Sequence, residues 1–580
     1  MEMNAATGVA CRIGAGPLMV LWLALGACHS GGDDGPRVTR SLGLGAASAI
    51  RLEGQGGLWA LVVGELSQGA TDLNGDGDAN DDVLYLYHDG DATPVSLGSA
   101  VGGIGLPFFS IAALAVGDGL VAFGVYEGDQ GFTDLNGDGD AGDVVLHVYD
   151  DHDGSITNTG LAVSSAQPAI GADLVAFLVR EGAQGGGDLN GDGDTDDAVL
   201  HVYDGLSRVT TNTQRAVTSG LTFHDHAFAF TTDEASAGAD LNGDGDETDE
   251  RVFELFDKTT GGLVHVPLAI LGEPVGVGVD DWFVLADEAN EESDLNGDLD
   301  TQDGVFEHVE PHLGTVVPLG LSSLETFRAN TEGHELALVV QEIDGFDRNG
   351  DGDLDDSIAV LYDAATGQTH DTGLALVFGG GHPAFQPMFL GDQLVVIVNE
   401  TAQGLDLNAD GDLFDHVVYL VDRASGVTQN LGLAVNFAAA TGGAVLCTRW
   451  ENSEAEDFNS DGDQDDFVTF VLRPGGTTLE NTGIDESFVP FTEDAESALL
   501  LSDESAGDLN ADGDHSDHVF LVHDVATGTQ RNLALAGDNA IGKLDSSGGG
   551  LLLVSEISQG RDLNGDGDIG DQVVFALQIP

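Results

Sequence analysis

The string Asp-Leu-Asn-Gly-Asp-Gly-Asp, or a close variant, occurs ten times in the chain. Its copies begin at Asp72, Asp134, Asp188, Asp240, Asp294, Asp347, Asp406, Asp457, Asp508 and Asp562. Successive copies start 62, 54, 52, 54, 53, 59, 51, 51 and 54 residues apart. A period this regular, with no long linker between copies, predicts a repeat fold. In such a fold each unit buries its apolar surface against the next one.

Every unit has the same order of parts. An apolar run ends on Glu, as in Leu174-Val175-Ala176-Phe177-Leu178-Val179-Arg180-Glu181. A short Gly/Ser/Ala/Gln loop leads into the acidic string. A second apolar run follows, as in Ala198-Val199-Leu200-His201-Val202-Tyr203-Asp204. Then come a turn, a mixed run such as Val427-Thr428-Gln429-Asn430-Leu431-Gly432-Leu433, and a weaker short run. Runs of this length, rich in β-branched residues and bounded by Gly and Asp, predict strands. Four strands per unit, a to d, is the arithmetic of a propeller blade. The unit resembles the blade of TolB-like propellers, with an acidic insertion between b and c. The expected fold is all-β: a β-propeller of about ten four-stranded blades, with two tandem five-bladed rings as the alternative. The last unit stops after strand c, at Val573-Val574-Phe575-Ala576-Leu577, while Val38-Thr39-Arg40-Ser41-Leu42-Gly43-Leu44 matches the d pattern. The N-terminal strand is therefore expected to complete the last blade and close the ring, which removes exposed edges.

Numbering the first Asp of each copy as position 1, positions 1, 3, 5, 7 and 10 are fixed in type throughout. The first copy carries Asp72, Asn74, Asp76, Asp78 and Asp81; the second Asp134, Asn136, Asp138, Asp140 and Asp143. The third has Asp188, Asn190, Asp192, Asp194 and Asp197; the fourth Asp240, Asn242, Asp244, Asp246 and Asp249. The fifth has Asp294, Asn296, Asp298, Asp300 and Asp303; the sixth Asp347, Asn349, Asp351, Asp353 and Asp356. The seventh has Asp406, Asn408, Asp410, Asp412 and Asp415; the eighth Asp457, Asn459, Asp461, Asp463 and Asp466. The ninth has Asp508, Asn510, Asp512, Asp514 and Asp517; the tenth Asp562, Asn564, Asp566, Asp568 and Asp571. Oxygen donors at alternate positions around a glycine turn suit a hard cation of six to eight coordination, so calcium is the expected ion. Mg²⁺, which prefers octahedral sites that keep their waters, is second, and zinc is disfavoured for want of Cys and paired His. Position 6 is Gly in nine copies and Leu299 in the fifth, which makes that site the expected weak one.

The loop is similar to the Asp-x-Asn-x-Asp-Gly loops of EF-hands, dockerins and integrin-type propellers. The resemblance implies side-chain ligands at positions 1, 3 and 5 and a backbone carbonyl at 7. It departs from those families in closing with an acid at 10. The Glu that ends strand b recurs in all ten units, from Glu65 to Glu556, and either adds a carboxylate or marks the strand end.

Charge limits the partners. Asp plus Glu number 101 against 17 Lys plus Arg, a formal net charge of -84. Binding nucleic acid through its phosphates needs clustered bases and is excluded. Forty of the acids fall in four columns of one loop, whereas a merely salt-adapted surface would scatter them. A hydrophobic content of 42% argues against disorder.

Residues 1–27 read as a signal peptide with an apolar core at Leu18 to Leu25, too short to span a bilayer. Leu25-Gly26-Ala27-Cys28 resembles the bacterial lipobox, which implies acylation of Cys28. Residues 28–36 form a tether and 37–580 the repeat domain. His29 follows the cysteine where inner-membrane lipoproteins carry Asp, so the expected location is the cell envelope, lipid-anchored at the outer membrane. His224-Asp225-His226, His147 and His201 read as structural, as do Trp59, Trp282 and Trp450 on or beside strand b. No Gly-x-Ser-x-Gly elbow and no dinucleotide-binding glycine motif is present. The expected function is a calcium-loaded envelope binding or scaffold protein with a carbohydrate or protein ligand. The alternative is a polysaccharide hydrolase or lyase using the channel.

Overall fold

The computed structural model describes residues 39–46, 52–103, 113–164, 166–279, 281–310, 315–323, 329–376, 386–441, 443–488, 497–504, 507–537, 542–544 and 549–579. The signal peptide, Cys28 and the tether lie outside the described residues.

The structure is a β-propeller. In blade 1 the strands are Leu52–Gln55, Leu58–Gly64, Asp81–His88 and Val95–Gly103, paired in that order and antiparallel. The same meander recurs among the described residues in six four-stranded sheets and in two seven-stranded ones, each of which is two such meanders sharing a strand. Strands d and a, expected to be separate, are continuous in two places. Gly262–Val277 serves blades 4 and 5, and Glu480–Phe488 serves blades 8 and 9. No turn interrupts the backbone there, so one strand leaves the outer edge of one sheet and enters the inner edge of the next.

Strand b is apolar on both faces because both are covered. In Leu58–Gly64 every residue is buried. Alternate side chains point opposite ways in a strand, so Leu58, Ala60 and Val62 pack with Leu114, Val121 and Phe123 of blade 2. Trp59, Leu61 and Val63 pack the other way, against Leu551, Leu553, Val574 and Ala576 of blade 10. Ten such clusters lie between successive blades, and the contact between blades 5 and 6 is one of them, joining Phe283 and Phe306 to Leu338 and Tyr362. Among the described residues, a cluster of this kind also joins the last blade to the first. Strand d is outermost and alternates with solvent, as the burial of Ser155–Ala162 illustrates.

Thr39–Gly45 completes blade 10. It pairs antiparallel with Gln572–Gln578, Thr39 opposite Leu577 and Ser41 opposite Phe575. Ser99 to Gly117, an uncharged stretch, contains the end of Val95–Gly103 and the strand Leu114–Gly117, with 104–112 outside the described residues. His147 and His201 are buried and face Phe123 and Phe177, with centroids 5.8 and 6.0 Å apart. Trp59 and Trp282 are core residues, but Trp450 is not: it ends its strand 37% exposed and stacks on Phe467.

Candidate metal centres

Each acidic loop spans the gap between strands b and c and is built on the Glu that ends strand b. All ten of these Glu side chains are fully buried. In blade 1, Glu65 Oε1 accepts the backbone N–H of Leu73 at 2.6 Å and of Asn74 at 3.3 Å, and Oε2 accepts that of Asp81 at 3.1 Å. One carboxylate thus ties both ends of the loop to the strand. Its role, left open by the sequence, is to organise the loop from within.

The acidic positions fold the loop around themselves. Asp72 Oδ1 accepts the N–H of Gly75 at 2.6 Å, and Asn74 Oδ1 that of Asp76 at 3.0 Å. Asp76 and Asp78 each accept an N–H two residues on, at 3.1 Å. These turns bring three carboxylates together: Glu65, Asp78 and Asp81 present oxygens within 4.8 Å of one another. The same triplet recurs as Glu127, Asp140 and Asp143 and as Glu181, Asp194 and Asp197, and in blade 9 Asp512 joins Glu504, Asp514 and Asp517. Position 7 therefore brings its carboxylate into the cluster, where the resemblance implied only a carbonyl. Position 1 caps the turn and position 10 lies at the centre.

The position-10 carboxyls register their burial and the carboxylates around them. Burial, with Asp129, Asp76 and Glu65 nearby, pushes Asp81 up to about 7. Burial is also the largest cause for Asp249, Glu234 beside it adding to the effect, and for Asp466; both rise to about 7. Asp143, Asp303, Asp356, Asp415 and Asp571 rise to about 6, and Asp197 and Asp517 are also raised. In four blades an orphan atom sits in the same place: Oε2 of Glu288, Glu342, Glu451 and Glu504 is buried with no hydrogen-bond partner. A buried carboxylate oxygen without a partner is costly, and a hard cation would satisfy it. The donor set, all oxygen and mostly carboxylate, fits calcium.

The loops are joined to one another. Asn74 Nδ2 donates to Asp81 Oδ2 and, at 2.8 Å, to the carbonyl of Asp129 in the loop of blade 2. Asn136, Asn190, Asn242, Asn349 and Asn510 reach the following loop in the same way. Asn564 of the tenth loop donates to Ser67 of the first at 2.8 Å. The loops therefore share one face of the ring. Two further clamps escaped the sequence reading. Gln130 Oε1 accepts the N–H of Ala100 in the preceding blade, as Gln184 does for Ala162 and Gln403 for Ala375. Asn158, Asn212, Asn430, Asn481 and Asn532 of strand d donate to the position-2 carbonyl of their own loop. The recurrence of Gln after the strand-end Glu, and in strand d of Asn two residues before a positive-φ Gly, Gln or Ala, was the available signal.

The fifth loop departs from the rest. Asn296 Nδ2 bonds Ser322 Oγ of its own blade at 2.8 Å. Leu299 sits at φ +85°, against +104° to +115° for the nine glycines at this position. Nothing lies within 4 Å of a Cβ built on Gly77, so the constraint there is backbone and not space. Three position-4 residues, Ala409, Ser460 and Ala511, also take positive φ.

Two outcomes follow from this geometry. A side chain in the left-handed region costs on the order of 1 kcal/mol, so Leu299→Gly should tighten ion binding at the fifth loop. Calorimetric titration that finds its weakest site unchanged would count against a shared loop geometry. The second outcome concerns pH in the chelated protein. Raised carboxyls mean that the folded state binds more protons than the unfolded chain between about pH 4 and 7, so stability falls as pH rises through that window. Chelated protein should melt higher at about pH 5 than at about pH 8. A melting temperature that climbs over this range would contradict the crowding of uncompensated carboxylates.

No known family profile and no curated protein matches the chain. Solved structures do. Tricorn protease matches over 86% of this chain at 10% identity and a TM-score of 0.28, and the chain spans about half of that protein, 50%. The β-propeller domain of the trilobed protease from Pyrococcus furiosus matches over 63% of this chain and 93% of its own length, at 9% identity and TM-score 0.29. TolB from Acinetobacter baumannii matches over 64% of this chain and 79% of its own, at 9% identity and TM-score 0.23. At this distance nothing about activity passes from these proteins to the chain.

Proposed function

We propose that the chain is a calcium-stabilised β-propeller, held at the cell envelope by acyl chains on Cys28 and serving there as a binding or scaffold platform. The observation that carries this reading is the row of acidic loops, each with a fully buried Glu at its root, seven of which reach the next loop through Asn, the last of these reaching the first. In each loop the strand-end Glu and the position-5, position-7 and position-10 carboxylates would hold the ion, while positions 1 and 3 shape the turn. The ion supplies charge compensation and fixes the b–c connection. Ten divalent ions would offset only part of the formal charge of -84, so the face stays acidic and favours a carbohydrate held through calcium or a cationic protein over a nucleic acid.

Two measurements test the reading. An ion bound only by the folded state adds about 2.7 kcal/mol per site at a hundred times its Kd. Chelation should therefore lower the melting temperature sharply, with recovery on adding Ca²⁺ but not an equal amount of Na⁺. A melt indifferent to chelator would refute structural calcium. For the anchor, Cys28→Ser should leave an unprocessed precursor or shift the protein to the soluble fraction. Normal processing and unchanged membrane fractionation of that variant would remove the anchor from the proposal.

A further inference from the structure

Blade 5 departs from the repeat a second time, at the end of the sheet away from its acidic loop. Asp281 opens strand b, Asp281–Asp287, and Glu310 closes strand c, Gly304–Glu310. Phe283 is paired with His308, and alternate residues of a strand share a face. Asp281, Phe283, His308 and Glu310 therefore lie on one face of the sheet, the one that packs on Tyr362 of blade 6. Counted from the strand-end Glu, the residue matching His308 is apolar in each of the other nine blades, as Leu86, Val148, Val202, Leu361 and Leu420 illustrate. Asp281 likewise stands where blades 1, 2 and 3 place Leu58, Leu120 and Leu174.

The imidazole is held and left with a donor to use. It stacks on Phe283 with centroids 4.8 Å apart and planes 14° from parallel. Nδ1 lies 3.4 Å from Tyr362 Oη, which fixes the ring from the far side. Nε2 is buried and has no hydrogen-bond partner, and only 8% of the side chain is exposed. That nitrogen points at Asp281 Oδ2, 3.6 Å away, too far for a hydrogen bond. Ligand atoms of Asp281, His308 and Glu310 all fall within 4.8 Å of one another. Donors around a tetrahedral ion with bonds of about 2.0–2.2 Å stand roughly 3.3–3.6 Å apart, a separation the His308–Asp281 pair already has, with the Glu310 oxygen within 4.8 Å of both.

We propose that Asp281, His308 and Glu310 form a second kind of metal site, for a single first-row transition-metal dication of the zinc type. One imidazole nitrogen and two carboxylates are borderline donors that a zinc-type ion accepts, unlike the all-oxygen sets of the loops. Tyr362 acts as the outer partner that orients the imidazole. Three protein ligands leave at least one position open to water or to a ligand atom. The site does not depend on calcium in the loops, since it lies at the opposite end of the blade and uses different donors.

The test uses the purified full chain, stripped with chelator and returned to excess Ca²⁺ so that the loops are filled. Titration with Co²⁺, followed by its visible absorption, should give one equivalent with ligand-field bands, and Zn²⁺ should abolish them stoichiometrically. His308→Leu installs the residue type of the other blades and should keep the melting temperature while losing the Co²⁺ spectrum. Asp281→Asn should weaken binding with the fold intact. A wild-type protein that takes up no Co²⁺ under excess Ca²⁺ would overturn the proposal, and so would a His308→Leu variant that binds it as well as the wild type.

Discussion

The fully buried Glu at the end of strand b is the interaction on which the rest of the molecule depends. A carboxylate out of water must have donors or a cation. Here it accepts backbone N–H groups from both ends of the acidic loop, Leu73 and Asn74 on one side and Asp81 on the other. A loop of some fifteen residues, which would otherwise have to be ordered by itself, is thereby gathered over one oxygen pair. The gathering has a charge cost, because positions 7 and 10 are drawn against the same carboxylate. Burial, with neighbouring carboxylates adding to it, raises Asp81, Asp249 and Asp466, and it leaves an orphan oxygen on Glu288, Glu342, Glu451 and Glu504.

The strand pattern was legible because propeller packing imposes it locally. Strand b must be apolar on both faces, strand d on one only, and each requirement leaves a mark within a run of seven or eight residues. The phase of the acidic loop and the match of Val38 to Leu44 with strand d were legible for the same reason. What escaped were contacts between elements far apart in the chain. Gln130 and Asn74 act on neighbouring blades, and Asn158 on a loop 23 residues before it. Such residues carry no periodic signal inside their own strand. Trp450 misled because size suggests core, whereas its place at a strand end leaves one side of the ring open.

Tenfold repetition makes departures informative. Blade 5 differs on the loop side through Leu299 and the turn of Asn296 toward Ser322. It differs on the other side through Asp281 and His308. A buried His in place of an apolar residue would weaken an ordinary blade interface, yet the surrounding packing of Phe283, Phe306 and Tyr362 is intact. A ring of near-identical units thus carries one blade whose two ends are both individual.

The pairing of Thr39–Gly45 with Gln572–Gln578 also sets an order of events. Chains emerge from the ribosome N-terminus first, at about 5–20 residues per second. The strand made first therefore waits, on the order of half a minute or more at that rate, for a partner made last. Through that interval nine blades can stack while the first presents an uncovered flank, and an early-made strand with open hydrogen-bonding groups invites pairing with another copy. Ser41, Gly43 and the sparing use of large apolar side chains in this strand make it a poor template for such pairing, so the segment that seals the circle is suited to remaining unattached until the circle exists.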